Sequence, residues 1–407
     1  MNWLRAPLRG DGQGGETPPA LWLLVLLTGC GTLSLHILVP ALPAMARELG
    51  VSNGAIQLAV TLYLVGLASG QLVMGTLSDL FGRRPVLLLG LLAYVGGGLA
   101  IALAPSLLAL LIARVVQSAG GCAGLVLGRA IIRDTAEPRA AAARLAMVNL
   151  VMSVSPALAP LIGGYLTVWG SWRLVFVLLS AIGLVGLLVS LLRLPETHPN
   201  PGGGGFRAMF RASAGLVRDP RFVGLALAGA FGTTCFYAFM SASPFIFGEA
   251  LGRPTEEIGL YYAILFLGIT GGSFIANRLV GRFGPLRLLI VSLGVAILAS
   301  AALLAIDLAG ALSLAGVVGC MLVFTLGVGV VSPMALTLAI SVQPHSIGTA
   351  SGLYGFTQMG FGALTTFVMS LDLTDPAFMA ALLQTLSTLA AGVMLALAQA
   401  ARTRRLP

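Results

Sequence analysis

Apolar residues gather along this chain into twelve long runs, near 21–44, 56–77, 85–104, 107–128, 145–168, 173–193, 222–246, 257–277, 286–306, 312–335, 348–371 and 376–400. A helix needs roughly 20 mostly apolar residues to cross the hydrocarbon core of a bilayer. The pattern therefore predicts an all-α polytopic membrane protein with twelve transmembrane helices. The connections are short except for Leu194 to Phe222, where Pro195, Pro199, Pro201 and four consecutive glycines favour a flexible link. Within it, FRAMFRASAGLVR sets apolar residues between arginines at helical spacing, which predicts a short amphipathic helix lying on a membrane face. Six runs precede the link and six follow. The expected organisation is an N-terminal segment 1–20, a first bundle 21–193, a linker 194–221, a second bundle 222–400 and a basic tail 401–407.

Composition agrees with this reading. Of 407 residues 57% are hydrophobic and 9% charged, against about a quarter charged in soluble domains. The net charge is +9, and its placement carries more than its sum. Counting both termini, alternate connections hold nineteen arginines, among them Arg5, Arg83, Arg84, Arg129, Arg133, Arg218, Arg282 and Arg402, while the intervening ones hold Arg47, Arg173 and Arg253. The positive-inside rule puts the rich side and both termini in the cytoplasm, as expected for a bacterial-type inner membrane. The basic balance thus reports topology, and no nucleic-acid partner is expected. Cys30, Cys122, Cys235 and Cys320 each fall inside a run, which fits small buried hydrophobes. The first run follows a polar segment and is too long for the core of a cleavable signal. No metal-ligand cluster, P-loop or nucleophile set is evident, so neither cofactor, metal nor enzymatic activity is expected.

The halves echo each other. DLFGRRPVLLLG (Asp79–Gly90) and VGRFGPLRLL (Val280–Leu289) both follow an even-numbered run, with Gly82 and Gly284 in register 202 residues apart. Gly281 stands at the place of Asp79. Two related six-helix bundles suggest a transporter whose substrate binds between them near the midplane.

GTLSDLFGRRPVLLLG closely resembles the signature between helices 2 and 3 of the major facilitator superfamily, through Gly75, Asp79, Gly82, Arg83 and Arg84. The resemblance implies a conformational latch. Its expected docking partner is the start of helix 11 in HSIGTASG, where Ser346 caps a positive dipole end. RVVQSAGGCAGLVLGRAIIRD resembles the superfamily's helix 4 signature through Arg114 and Gln117, and its ending resembles the bicyclomycin- and chloramphenicol-resistance (Bcr/CflA) group of drug:proton antiporters. Arg114 is then either a cavity or coupling residue or a structural cation bonded to backbone carbonyls. SVSPALAPLIGGYL resembles the helix 5 antiporter signature, with Pro156, Pro160, Gly163 and Gly164 expected to bend or loosen the helix. Ala159 departs from the glycine common in that signature. PALP, LPET and GTASGLYGFTQ extend the likeness over nearly the whole chain.

A drug exporter needs a roomy apolar pocket with few polar groups. The candidates are His36, Tyr63, Gln71, Arg114, Gln117 and Asn149 in the first half, and Tyr237, Tyr261, Tyr262, Tyr354 and Gln358 in the second. Proton coupling is the awkward part, because every Asp and Glu falls at a run end or outside the runs. Relatives of the Bcr/CflA group often carry an aspartate four residues before the first proline of PALP, and here that position is His36. Histidine titrates near neutral pH, so His36 either carries the coupled proton or is a neutral hydrogen-bonding residue of the binding site. Gly29, Thr32 and His36 share one helical face, expected to be a cavity wall. His198 and His345 fall in connections. The resemblance implies a major facilitator fold and a monomeric, rocker-switch efflux transporter for amphipathic small molecules, driven by the proton gradient; the expected partners are substrate, protons and the lipid bilayer. The alternatives are a dedicated exporter of one metabolite, such as an amino acid or sugar, and a non-transporting membrane sensor.

Overall fold

The computed structural model describes residues 19–197, 205–343, 347–371 and 375–403. Arg5, Arg9, His198, His345, Ser346, Arg404 and Arg405 lie outside the described residues, and with them the expected docking contact of the latch. Among the described residues the chain is helical with no strand: α1 Leu21–His36, α2 Leu42–Leu49, α3 Asn53–Phe81, α4 Arg83–Ala102, α5 Leu107–Thr135, α6 Pro138–Trp169 and α7 Trp172–Arg193 in the first half. A helix α8, Gly205–Val217, precedes α9 Pro220–Thr234, α10 Phe236–Phe245, α11 Thr255–Phe283, α12 Pro285–Leu308, α13 Leu314–Ile340, α14 Ile347–Ser370 and α15 Pro376–Thr403. Among the described residues eleven spans are long and apolar enough to cross a membrane. The 24-residue α14 packs among them, against α3 and α9. Its Thr349, Ser351, Thr357, Gln358, Thr365 and Thr366 make it the more polar helix.

Local chemistry explains the boundaries. Ser52, Ser106, Ser171 and Ser313 cap α3, α5, α7 and α13, each accepting from a backbone N–H of the first turn. The predicted first run breaks after His36 and resumes through a 3-10 turn, Val39–Ala41, into α2. Pro40 is the cause: it has no N–H for the carbonyl of His36, four residues earlier, and its ring crowds that carbonyl. The predicted seventh run breaks at Cys235 and ends in a wide turn, Ile246–Ala250, after Pro244. By contrast α6 stays one 32-residue helix through Pro156 and Pro160.

Within each half, helices meet backbone to backbone. A Cβ added at Gly124 of α5 would stand 2.2 Å from the Leu27 carbonyl of α1, and one at Gly329 of α13 would stand 2.2 Å from the Ile269 carbonyl of α11. Small residues permit this approach where lipid supplies no hydrophobic drive between helices.

The two halves meet along α3 with α14 and α6 with α11. At the arginine-poor end one apolar core spans both halves, joining Ile37, Leu38, Ile56 and Val60 to Phe239, Phe247, Ile258 and Leu265. At the arginine-rich end there are two cores. One holds Leu24, Leu27, Leu91, Leu127 and Ile131 of the first half, the other Phe222, Leu289, Val331, Met334 and Tyr354 of the second. Leu72 of α3 is the first-half side chain touching the latter. The molecule is thus sealed at one end and parted at the other.

Candidate functional site

Arg114 sits on α5 with no solvent exposure. Its Nε donates to the Ala59 carbonyl of α3 at 3.1 Å, Nη1 to Gln117 Oε1 at 2.8 Å, and both Nη atoms lie 3.5 Å from the Ser34 carbonyl of α1. The guanidinium lies over the Tyr63 ring, 4.1 Å from its centroid. Tyr63 Oη donates to the Gly31 carbonyl at 2.9 Å, and Tyr94 Oη to the Cys30 carbonyl at 3.1 Å. Ser34 Oγ is 2.5 Å from Tyr94 Oη. One cation therefore gathers α1, α3 and α5 through carbonyl dipoles and an aromatic face, the structural alternative for Arg114. In this state neither Arg114 nor Tyr63 reaches a cavity. Gln117 Nε2 is buried with no partner among the described residues.

His36 closes α1 one turn from this cluster. Its Nδ1 lies 2.7 Å from the Thr32 carbonyl. A carbonyl only accepts, so Nδ1 carries the hydrogen and Nε2 is the other face of the ring. The imidazole stands edge-on to Phe266 of α11, with centroids 5.1 Å apart, and so contacts the second half directly. Phe266 in turn meets Phe236 edge-on at 5.8 Å and stacks on Tyr262 at 6.5 Å. The backbone that follows is clamped. A Cβ at Gly163 would stand 1.9 Å from the Ile37 carbonyl, so α6 lies directly on the break in the first span. Pro156, Pro160, Gly163 and Gly164 are all buried on that face.

The other candidates scatter along the seam. Gln71 Nε2 reaches the Gly355 carbonyl at 3.4 Å, and Gln358 Nε2 donates to Thr233 Oγ1 at 2.9 Å. Tyr354 Oη lies 3.4 Å from the Ser332 carbonyl, a contact within the second half. Tyr237 is half-buried beside Gly362, Tyr261 bonds Glu257 near the arginine-poor end, and Tyr262 donates to the Met240 carbonyl at 2.6 Å. Asn149 is exposed on α6, away from the His36 cluster. Two further bonds cross the seam: Thr61 Oγ1 to Thr366 Oγ1 at 2.9 Å, and Asn53 Nδ2 to Glu249 Oε1 at 3.1 Å.

In the loop before α4, Gly82 adopts φ 95°, a conformation open to glycine. Gly75 has open space beside it. Asp79 pairs with Arg83, whose Nε also donates to Asp134 Oδ2 at 2.8 Å. Glu196 accepts from the backbone N–H groups of Arg83 at 2.8 Å and Arg84 at 3.1 Å, capping α4 from the far end of the half. Arg84 Nη2 donates to the Leu191 carbonyl at 2.9 Å. Ser34, Tyr94, Phe266, Asp134 and Glu196 were not singled out by sequence reasoning. Asp134 and Glu196 stood inside quoted motifs, whereas Tyr94 and Phe266 carried no local signal. Among the described residues no cluster of ligating side chains is placed to hold a metal.

The model of the Major Facilitator Superfamily matches residues 24–366. An uncharacterized MFS-type transporter, YdgK of Bacillus subtilis (strain 168), is 31% identical over 376 residues, covering 91% of this chain and 93% of its own. A chloramphenicol resistance protein of Pseudomonas aeruginosa is 31% identical over 348 residues, covering 84% and 81%. The crystal structure of a bacterial homolog to the human lysosomal transporter Spinster, in an inward-facing and occupied conformation, superposes with a TM-score of 0.71 at 17% identity, covering 94% of this chain and 96% of that one.

Proposed function

Since the chain belongs to the Major Facilitator Superfamily, we propose that it is a secondary efflux transporter, exporting amphipathic small molecules in exchange for protons by rocker-switch alternating access. The observation that carries this reading is the distribution of apolar cores: one shared core at the arginine-poor end, two separate cores at the arginine-rich end. Such a molecule presents a cleft to one side only, and exchanging which end is sealed moves that cleft across the membrane. With the arginine-rich end in the cytoplasm, this arrangement supports a cytoplasm-open state in which substrate enters between the halves from inside the cell. Kinship with a chloramphenicol resistance protein supports a drug-sized, amphipathic cargo.

His36 is the candidate coupling group. It touches both halves, through Thr32 and through Phe266, and a change in its charge would alter a contact that exists only while the arginine-poor end is sealed. Tyr237, Gln358 and Gln71 border the cleft as polar anchors, and the loop from Gly75 to Arg84 steadies the arginine-rich end. The protein works as a monomer in the bilayer.

The test is drug accumulation in an efflux-deficient host together with proton flux in proteoliposomes. Cells expressing the protein should accumulate less chloramphenicol than those carrying Arg114→Ala or Asp79→Asn, and adding drug to loaded vesicles should release a pH gradient. Equal susceptibility of all strains to every compound in a broad panel, with no counterflow, would end the transport reading. Export confined to one amino acid or sugar would favour the dedicated exporter.

A further inference from the structure

The chemistry around His36 limits what charge the cleft accepts. Every Asp and Glu of the chain stands at a helix end, in a connection or in a terminal segment. A cation entering the seam at the depth of His36 therefore meets no carboxylate. It does feel the charge of the buried Arg114, whose guanidinium contacts the Ser34 carbonyl two residues before His36. At an effective dielectric of about 20, a like charge within about 10 Å weakens binding by roughly tenfold or more.

Aromatic faces are the usual alternative partner for an organic cation. Here the rings already contact one another or Arg114. The Tyr63 face holds Arg114 at 4.1 Å. Phe266 is met edge-on by His36 and by Phe236, with interplanar angles of 81° and 84°. The His36, Phe236 and Phe266 rings each keep 5% exposure, whereas Tyr63 and Arg114 keep none.

What the site does offer is Nε2 of His36. Nδ1 is committed to the Thr32 carbonyl, and Nε2 makes no hydrogen bond among the described residues. In the neutral ring it presents a lone pair to a hydroxyl or amide N–H. Beside it lies the Phe266 ring, and aromatic rings favour an offset or edge-on partner.

We infer that the seam at His36 selects uncharged, ring-bearing molecules that carry a hydroxyl or amide N–H, and rejects organic cations, with His36 the residue that sets this selectivity. The inference rests on the proposed transport reading, because it assigns the cargo of that same cleft. It concerns binding, however, and binding is measured without a gradient.

The experiment is direct binding of radiolabelled chloramphenicol and of tetraphenylphosphonium to the purified full-length protein in detergent, by scintillation proximity. Wild type should bind chloramphenicol with a Kd at least tenfold below that for tetraphenylphosphonium. His36→Asp, which puts a carboxylate where the ring stood, should tighten the cation at least tenfold and weaken chloramphenicol. His36→Asn should leave the cation weak, which separates charge from loss of the ring. Thermal unfolding of each variant identifies any that is misfolded, and His36→Glu then takes the place of His36→Asp. Equal affinity of wild type for both probes, an unchanged ratio in the acidic variant, or binding of neither probe to wild type would each overturn the assignment. Counterflow of other compounds in vesicles tests transport separately, so it can survive that failure.

Discussion

Gly259 offers a way to weigh the sealed end against the parted one. It lies on α11 where that helix crosses α6, and an added Cβ would stand 2.8 Å from the Leu161 Cα, 3.0 Å from the Leu161 nitrogen and 3.0 Å from the Pro160 carbonyl. All three are backbone atoms, so no rotamer change relieves the clash. Ordinary contact begins near 3.4 Å, and α11 must therefore withdraw by several tenths of an ångström along a seam that is otherwise closed. Overpacking of this kind costs about 1–3 kcal/mol. The cost exists only while α6 and α11 touch here, so Gly259→Ala should shift the balance toward the state open at the arginine-poor end by roughly 5- to 150-fold. Spin labels at Arg47 and Arg253, both exposed at that end and in opposite halves, report the change as a longer distance population in pulsed electron resonance. Gly294→Ala is the control, since a Cβ there meets nothing within 4 Å. An unchanged distance distribution in Gly259→Ala, with a lowered Tm, would show that the clash is absorbed inside one state and would refute the seam as the moving contact.

Three further outcomes follow from the site. Gly82→Ala and Gly284→Ala both force a side chain to a positive φ, 95° and 75°, at about 1–3 kcal/mol each; only the former also meets Glu196, 2.5 Å away, so it should lower Tm further, and Glu196→Ala should narrow the gap. Arg114→Ala leaves the Ala59 and Ser34 carbonyls and Gln117 without their donor, for a loss of about 2–4 kcal/mol, read as Tm in detergent; Arg114→Lys should recover part of it, because one ammonium cannot reproduce the fork. His36→Asn should flatten the pH dependence of drug exchange, and coincident profiles for wild type and variant would remove His36 from the proton path.

Much of the fold was legible because hydrocarbon imposes a length. The apolar runs marked where helices cross, and the repeat of Gly82 at Gly284 marked two turns that share a positive φ. Helix ends were less legible. Hydropathy sees only the dry segment, so α6 begins at Pro138 and α5 runs to Thr135, where Ala-rich and charged turns continue the helix into water. The break after His36 could be read from PALP, but the place of Arg114 could not. Its partners are carbonyls, and a sequence assigns no identity to a carbonyl. The same holds for Phe266 and Glu196, which act on residues far along the chain through contacts that only the fold creates.

The backbone-to-backbone contacts inside each half, such as Gly124 on Leu27 and Gly329 on Ile269, leave little slack between neighbouring rods. Each half is therefore a stiff lever, and work done at its tip by a ligand reaches the opposite tip with little lost to bending. Sequence change should divide accordingly. A substitution between rods of one lever spoils the part itself, while one at the fulcrum leaves both parts sound and alters only how they rest. Laboratory evolution toward new cargo should thus draw its tolerated changes from the seam and seldom from the glycine contacts within a half.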